Sequence, residues 1–355
     1  MRYEVTEHIA KTPRHATHYL SCGGDDAPLI VFVHGWPELS ISWRHQLRCF
    51  AELGFRAVAP DMRGYGKSTV HPATVDYAVE HIVADMLDLL GSLGRDAAFW
   101  VGHDWGASIV WGLAQHHSER VIGVASLCVP YHPEGFAIGN LLPLIDRSVY
   151  PVDEYPVGQW DYHLYYEESF DAARAAFDAD PRATVKALFR KGTPAGRGKP
   201  ARSAMVRRNG GWFGPAGRAP DVPRDADLLT EEDLDAYAGA LAANGFFGPD
   251  AWYMNAAANT AYARRAPGGG RLTMPVLFFH GLYDYVCETV DSRLAEPMRA
   301  SCADLTELVL PTGHWMAQER PELVNAGLAR WLGQRFPSHW HPLVEPRARS
   351  TLAAE

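Results

Sequence analysis

Apolar positions fall into two rhythms along the chain. Leu29-Ile30-Val31-Phe32-Val33 and Ala97-Ala98-Phe99-Trp100-Val101 are unbroken apolar runs of strand length. Such runs predict strands buried on both faces, as in a parallel sheet. Phe55–Ala59 (ended by Pro60), Val121–Val129, Val276–Phe279 and Leu305–Leu310 predict further strands. Tyr3–Ile9 and His15–Leu20 predict two short ones able to pair. Between these runs the period lengthens. Ser42–Leu53 carries Trp43, Leu47 and Phe50 on one stripe, and Tyr77–Leu93 carries Ile82, Met86, Leu89 and Leu90. Both predict helices, as do Ala107–His117 and Pro321–Leu332. Strand and helix alternate with short links, which is the signature of right-handed βαβ units.

The rhythm breaks from about Pro130 to Pro267, where aromatics, Pro and Gly accumulate. Ser169–Phe189 and Glu231–Leu241 predict helices there. Lys191–Arg224 is rich in Gly, Pro and Arg, lacks a period, and predicts a loop or flexible segment. Pro267-Gly268-Gly269-Gly270 marks the seam where strands return. The expectation is therefore one split α/β core, residues 1–133 and 268–355, with a helical cap over 134–267. The tail from Phe336 is Pro-rich and charged and is expected to be loosely attached.

Composition refines this. The 355 residues are 47% hydrophobic and 21% charged, which is ordinary globular usage and excludes a disordered or fibrous chain. A formal charge of −9 lacks the basic footprint of a nucleic-acid binder. The start, MRYEVTEHIAKTPRH, has no apolar signal core, and no apolar run reaches membrane-spanning length. Five scattered cysteines, with no C-x-x-C pair, argue against a disulfide framework or zinc site and for a reducing compartment. A cytoplasmic monomer or homodimer is expected, bound to neither nucleic acid nor membrane. Trp 11, Tyr 15 and Phe 14 suggest a site walled by rings, and a large core explains them too.

The chemistry concentrates at strand ends. Gly102-His103-Asp104-Trp105-Gly106 follows a strand and precedes a helix, the form of a nucleophile elbow with Asp at the nucleophile position. The sharp turn needs small neighbours, and Gly102 and Gly106 supply them. Asp104 alone could equally cap the helix. As a nucleophile it is ionised at neutral pH without a base, and it suits an sp3 carbon bearing a leaving group. The resulting ester needs a base for its hydrolysis. Asp284, in Gly281-Leu282-Tyr283-Asp284, and His314, in Gly313-His314-Trp315, follow the last two strands and supply one. The N–H of Trp105, and that of Trp36 in His34-Gly35-Trp36-Pro37, are positioned for a developing oxyanion. His34 is expected to order its loop and His103 to pack beneath the elbow. His116 and His117 end a helix, where positive charge suits the dipole.

Taken together, HGWPE at 34–38, DMRGYGKS at 61–68, GHDWGA at 102–107, DYHLYY at 161–166, GFFGPDAWY at 245–253, GLYD at 281–284 and GHW at 313–315 carry a family resemblance. The chain resembles the soluble, Asp-nucleophile epoxide hydrolases of the α/β-hydrolase superfamily over nearly its whole length. The resemblance implies the α/β-hydrolase fold, a mostly parallel eight-stranded sheet with helices on both faces and an inserted helical cap. It implies Asp104 as nucleophile, His314 as base, Asp284 as its partner, and Trp36 and Trp105 as oxyanion donors. Two cap tyrosines would grip the epoxide oxygen, Tyr253 being one and Tyr162 the other, with Tyr165 or Tyr166 as alternatives. Ala251 stands where the family usually has Asn, and Glu167-Glu168 where it has Gln-Glu. His34, Pro37, His103, Tyr165 and Trp315 are expected around the substrate.

A phenol stays protonated at neutral pH and can donate to the opening ring. No metal or organic cofactor is called for, only water and an epoxide, expected to be neutral. A haloalkane dehalogenase would share the triad but need halide donors, often an Asn after His-Gly, where this chain has Trp36. A fluoroacetate-type enzyme would carry Arg where Trp105 stands. A non-catalytic ligand binder often loses triad members, and all three are present.

Overall fold

The structure, a computed structural model, describes residues 3–339. Eight strands form one sheet: β1 Thr6–Lys11, β2 Ala16–Cys22, β3 Leu29–Val33, β4 Arg56–Pro60, β5 Ala98–His103, β6 Val121–Leu127, β7 Leu272–Gly281 and β8 Cys302–Leu310. Their order is β1-β2-β4-β3-β5-β6-β7-β8. β2 runs antiparallel to β1 and β4, and every other pair is parallel. β3 and β5 are buried at every position, as their unbroken apolar runs require. Helices Arg44–Glu52 and Pro321–Arg335 pack on each other on one face, and Val79–Ser92 and Trp105–His116 on the other.

Register decides what meets. Val33 pairs with Gly102, Gly102 with Ser126, Leu127 with Phe279, and Gly281 with Leu310. The chain therefore leaves β3, β5, β7 and β8 along one carboxyl edge. Residues 34–38, 104, 284 and 314 follow directly from it.

Between β6 and β7 the described residues hold helices and turns and no strand. The single helix expected over Ser169–Phe189 is instead two. Asp161–Asp178 kinks at Ser169 (φ −143°, ψ 40°), and Pro181–Leu188 follows. The Asp180 side chain accepts from the Ala183 N–H and Pro181 opens the new helix, so Asp-Pro is a start signal inside the apparent period. Glu231–Asn244 begins in a capping box between Thr230 and Asp233 and stops at Gly245, φ +68°. Residues 191–224 contain only short 3-10 turns but fold tightly onto the rest. The N–H of Ala201 donates to the Tyr150 hydroxyl (3.1 Å), and Arg207 pairs with Asp161 (2.7 Å).

Two further expectations change. Phe336 is not loose, since its ring sits 4.8 Å from Phe99 and 5.2 Å from Trp331. The tail beyond His339 lies outside the described residues. His116 stacks on Tyr262 at 3.8 Å, and burial lowers its pKa, so the expected helix-end charge is disfavoured there. The five cysteines are free, and no helix among the described residues is long and apolar enough to cross a membrane.

Candidate active site

Asp104 sits at φ +52°, ψ −125°, a strained conformation for a residue with a Cβ. It precedes helix Trp105–His116, yet its side chain makes no capping hydrogen bond. The carboxylate is turned elsewhere. Its Oδ1 accepts from the backbone N–H of Trp36 at 2.6 Å. Three glycines permit this. A Cβ on Gly106 would overlap the Val33 carbonyl, one on Gly102 the Gly106 carbonyl, and one on Gly35 both Asp104 and the Trp105 N–H.

His314 bridges two carboxylates. Its Nδ1 lies 2.8 Å from Asp284 Oδ2, and its Nε2 3.4 Å from Asp104 Oδ2. Asp284 is buried, and its Oδ1 accepts from the N–H groups of Val286 (3.1 Å) and Cys287 (3.0 Å). Burial alone would lower the His314 pKa, but the charges of Asp284 and Asp104 outweigh it and raise it well above the ordinary value. Burial would raise Asp284, but His314 holds it low.

Tyr162 and Tyr253 line the same cavity as Asp104, of about 350 Å³, together with Trp36, Trp212 and Trp315. Their rings stand 5.8 Å apart. Burial, reinforced by the Asp104 charge, pushes both phenols well above 10, so they remain donors at neutral pH. Tyr166 stacks behind Tyr253 at 4.2 Å, and neither Tyr166 nor Tyr165 lines the cavity.

Residues 28–183 match the family model described as alpha/beta hydrolase fold. "Epoxide hydrolase A" of Mycobacterium tuberculosis is 32% identical over 333 residues, covering 92% of this chain and 97% of that protein. The chain belongs to the epoxide hydrolase family of the α/β-hydrolase fold. The "Bifunctional epoxide hydrolase 2" of Sus scrofa is 32% identical over 89% of the chain, which spans 53% of that longer protein. The crystal structure of Epoxide Hydrolase A from Mycobacterium thermoresistibile superposes with a TM-score of 0.76 at 31% identity, covering 93% of this chain and 98% of that one.

Four residues expected around the substrate of this epoxide hydrolase homologue lie elsewhere. His34 is fully buried; its Nδ1–H donates to the Gly35 carbonyl (2.9 Å) while Nε2 accepts from the Met62 N–H (2.9 Å). It orders its loop as a neutral imidazole. Pro37 follows a cis peptide bond and is absent from the cavity wall. Tyr165 is turned toward Gly211, because a helix that starts at Asp161 puts Tyr162 and Tyr166 one turn apart on one face and Tyr165 beside it. His103 lies behind the wall, as packing beneath the elbow requires.

His103 also reveals a partner that sequence reasoning missed. Its Nδ1 is 2.7 Å from Glu38 Oε2 and its Nε2 is 2.7 Å from the His314 carbonyl. Both neighbours are acceptors, so both ring nitrogens donate and the ring is an imidazolium. Burial would lower its pKa, but the Glu38 charge holds it up at about 10. Burial would raise Glu38, but His103 holds it down at about 2. Only the last letter of HGWPE signalled Glu38. The pair ties the first loop of the site to the backbone of His314.

Glu38 contributes stability above its ordinary pKa of 4.5 and loses it as pH falls toward 2; His103 contributes below 6.5 and loses it as pH rises toward 10. Glu38→Gln leaves a buried cation unpaired and should cost about 3 kcal/mol, with the midpoint advantage between pH 4.5 and 6.5 lost. Denaturant melts of both proteins across pH would check this. An unchanged stability profile would show that the pair contributes nothing.

Asp250 was missed as well. It is fully buried, burial raises its pKa strongly, and it accepts from the Trp36 indole N–H at 3.0 Å. Among the described residues, two groups bring metal-ligating atoms within 4.8 Å of one another, His103-Cys128-His314 and Asp284-Cys287-His314. Each uses His314, whose ring nitrogens already face Asp284 and Asp104, so both overlap the Asp104–His314–Asp284 cluster.

Proposed function

We propose that the protein hydrolyses an epoxide to a vicinal diol through an ester on Asp104. The observation that carries this is one cavity holding an elbow Asp, a His–Asp pair and two protonated phenols. With Oδ1 held by Trp36, Asp104 Oδ2 is free to attack a ring carbon. The C–O bond breaks, and the departing oxygen takes a proton from Tyr162 or Tyr253. Once the ester forms, the proton held by His314 passes to the tyrosinate; Nε2 then removes a proton from water, whose oxygen adds to the ester carbonyl. The oxyanion collects on Oδ1, where the N–H groups of Trp36 and Trp105 receive it. Collapse releases the diol and restores the carboxylate. Residues 134–267 act as a cap that brings the phenols over the nucleophile and excludes water. Phenol donors and backbone N–H groups provide the acid and electrostatic help, so the scheme calls for no cofactor.

Turnover of styrene oxide, an aliphatic epoxide and a haloalkane tests the reading. Diol from the epoxides and no halide release is expected. Halide release alone would favour dehalogenation, and ligand-induced thermal shifts without any turnover would favour a binding protein. Tyr253→Phe removes one donor to the opening ring and should slow ester formation about 10²-fold with the melting temperature nearly unchanged. Single-turnover quenched-flow measures that step, and an unchanged rate removes Tyr253 from it.

A further inference from the structure

The catalytic cavity is not closed by apolar residues alone. Its wall includes Leu188, Arg190, Lys191, Thr193, Arg202 and Ser203. Residues 190–218 carry eight Lys or Arg and no Asp or Glu, in a chain whose net charge is −9. Several of these cations are satisfied by acids from other segments. Lys191 pairs with Asp227, Arg197 with Asp291 and Arg207 with Asp161.

The other two that line the cavity are not. Arg190 donates to the carbonyls of Lys186 (3.4 Å) and Pro223 (2.7 Å), neutral acceptors that leave its charge uncompensated. Arg202 is exposed and has neither a hydrogen bond nor a carboxylate partner among the described residues. Beside it, Ser203 is 2% exposed and lines the same cavity, and its buried Oγ has no hydrogen-bond partner. A buried hydroxyl left unpaired is unfavourable, and such orphans are rare. The acids of the cavity do not compete for these donors. Asp104 accepts from Trp36, and Asp284 from His314.

Arg202 and Ser203 both contribute to the cavity wall, one an uncompensated guanidinium and the other an unpaired hydroxyl, and a planar oxyanion can accept from both kinds of donor. We propose that the preferred substrate is an epoxide bearing a carboxylate, seated against Arg202 and the Ser203 hydroxyl while the oxirane lies between Asp104 and the Tyr162–Tyr253 pair. This rests on the epoxide-hydrolysis reading above and replaces the neutral substrate expected from the sequence. Arg190 adds favourable potential at the same wall. A cavity of about 350 Å³ has room for a compact epoxy acid.

A matched set of epoxides on one skeleton tests it, ending in a carboxylate, its methyl amide, or a phosphonate. The ratio of kcat/KM for acid over amide should be about tenfold in the wild type, the scale of one charge-assisted contact. It should fall to near one in Arg202→Gln, recover in part in Arg202→Lys, and shrink in Ser203→Ala. Rising salt should reduce it. Arg202 is exposed, so the variants should fold, and thermal melts establish that they do. A wild-type ratio near one, with both compounds hydrolysed, overturns the proposal and leaves epoxide hydrolysis standing. A ratio preserved in Arg202→Gln overturns the assigned site. Preference for the phosphonate over the acid overturns the carboxylate. Failure to hydrolyse any epoxide overturns the hydrolase reading, and this one with it.

Discussion

Asp104→Ala is expected to abolish diol formation, by at least about 10⁴-fold, while the fold persists. No other carboxylate can take its place. Asp284 lines the same cavity, but it is buried and held by His314 and two backbone N–H groups. The cost to stability has two parts of opposite sign. Removing the carboxylate leaves the Trp36 N–H without its 2.6 Å acceptor, a loss of about 1–3 kcal/mol if water does not replace it. It also removes one of the charges that keep His314 protonated, which lightens the buried ion network. A near-native melt with no turnover is therefore the expected pair of results. In the wild type, one turnover in ¹⁸O-water should leave the label in the Asp104 carboxylate, and later turnovers should pass it into the diol. Label in the diol alone through repeated turnovers would mean that water attacks the epoxide directly and that Asp104 forms no ester.

The elbow was readable because its requirements are local. A strand, two small residues around an Asp and a helix lie within a few positions, and Gly102 and Gly106 are needed for contacts made within that turn and with the neighbouring strand. Asp284 and His314 were readable from their place after apolar strands, because the register of a parallel sheet brings strand ends together. What stayed hidden depends on long-range packing. Residues 191–224 have no period to read, yet Trp212 stacks over Trp36 at 6.2 Å and Arg202 and Ser203 line the cavity. The choice among Tyr162, Tyr165 and Tyr166 needed the helix phase, and the sequence pattern started that helix eight residues late, at Ser169 instead of Asp161. Glu38 and Asp250 were hidden because a lone acid gives no sign of burial. Their partners, His103 and Trp36, are 65 and 214 positions away.

His314→Gln should separate the two chemical steps. In the resting site His314 is cationic, since Asp284 and Asp104 together overcome the burial that would otherwise lower its pKa. That charge does not hinder attack, because Asp104 needs no base. Forming the ester removes the negative charge on Asp104, and with it one of the influences that hold the proton on His314. The His314 pKa then falls, and the imidazole becomes a base at the moment water must be activated. In the proposed scheme the charge of Asp104 thus sets the timing of the base. Gln at 314 retains a polar side chain but cannot take the proton. Ester formation should continue, while its hydrolysis slows about 10³-fold. Intact-protein mass spectrometry should show the protein heavier by one substrate, with the added mass on the peptide containing Asp104. The sign of the pH dependence follows. In the wild type, falling pH keeps His314 protonated in the ester, so hydrolysis slows and the ester accumulates. Rising pH frees the base and clears it. The variant has no such group and should hold its ester at every pH between these limits. Steady turnover of His314→Gln at the wild-type rate, with no trapped ester, would remove His314 from the hydrolytic step.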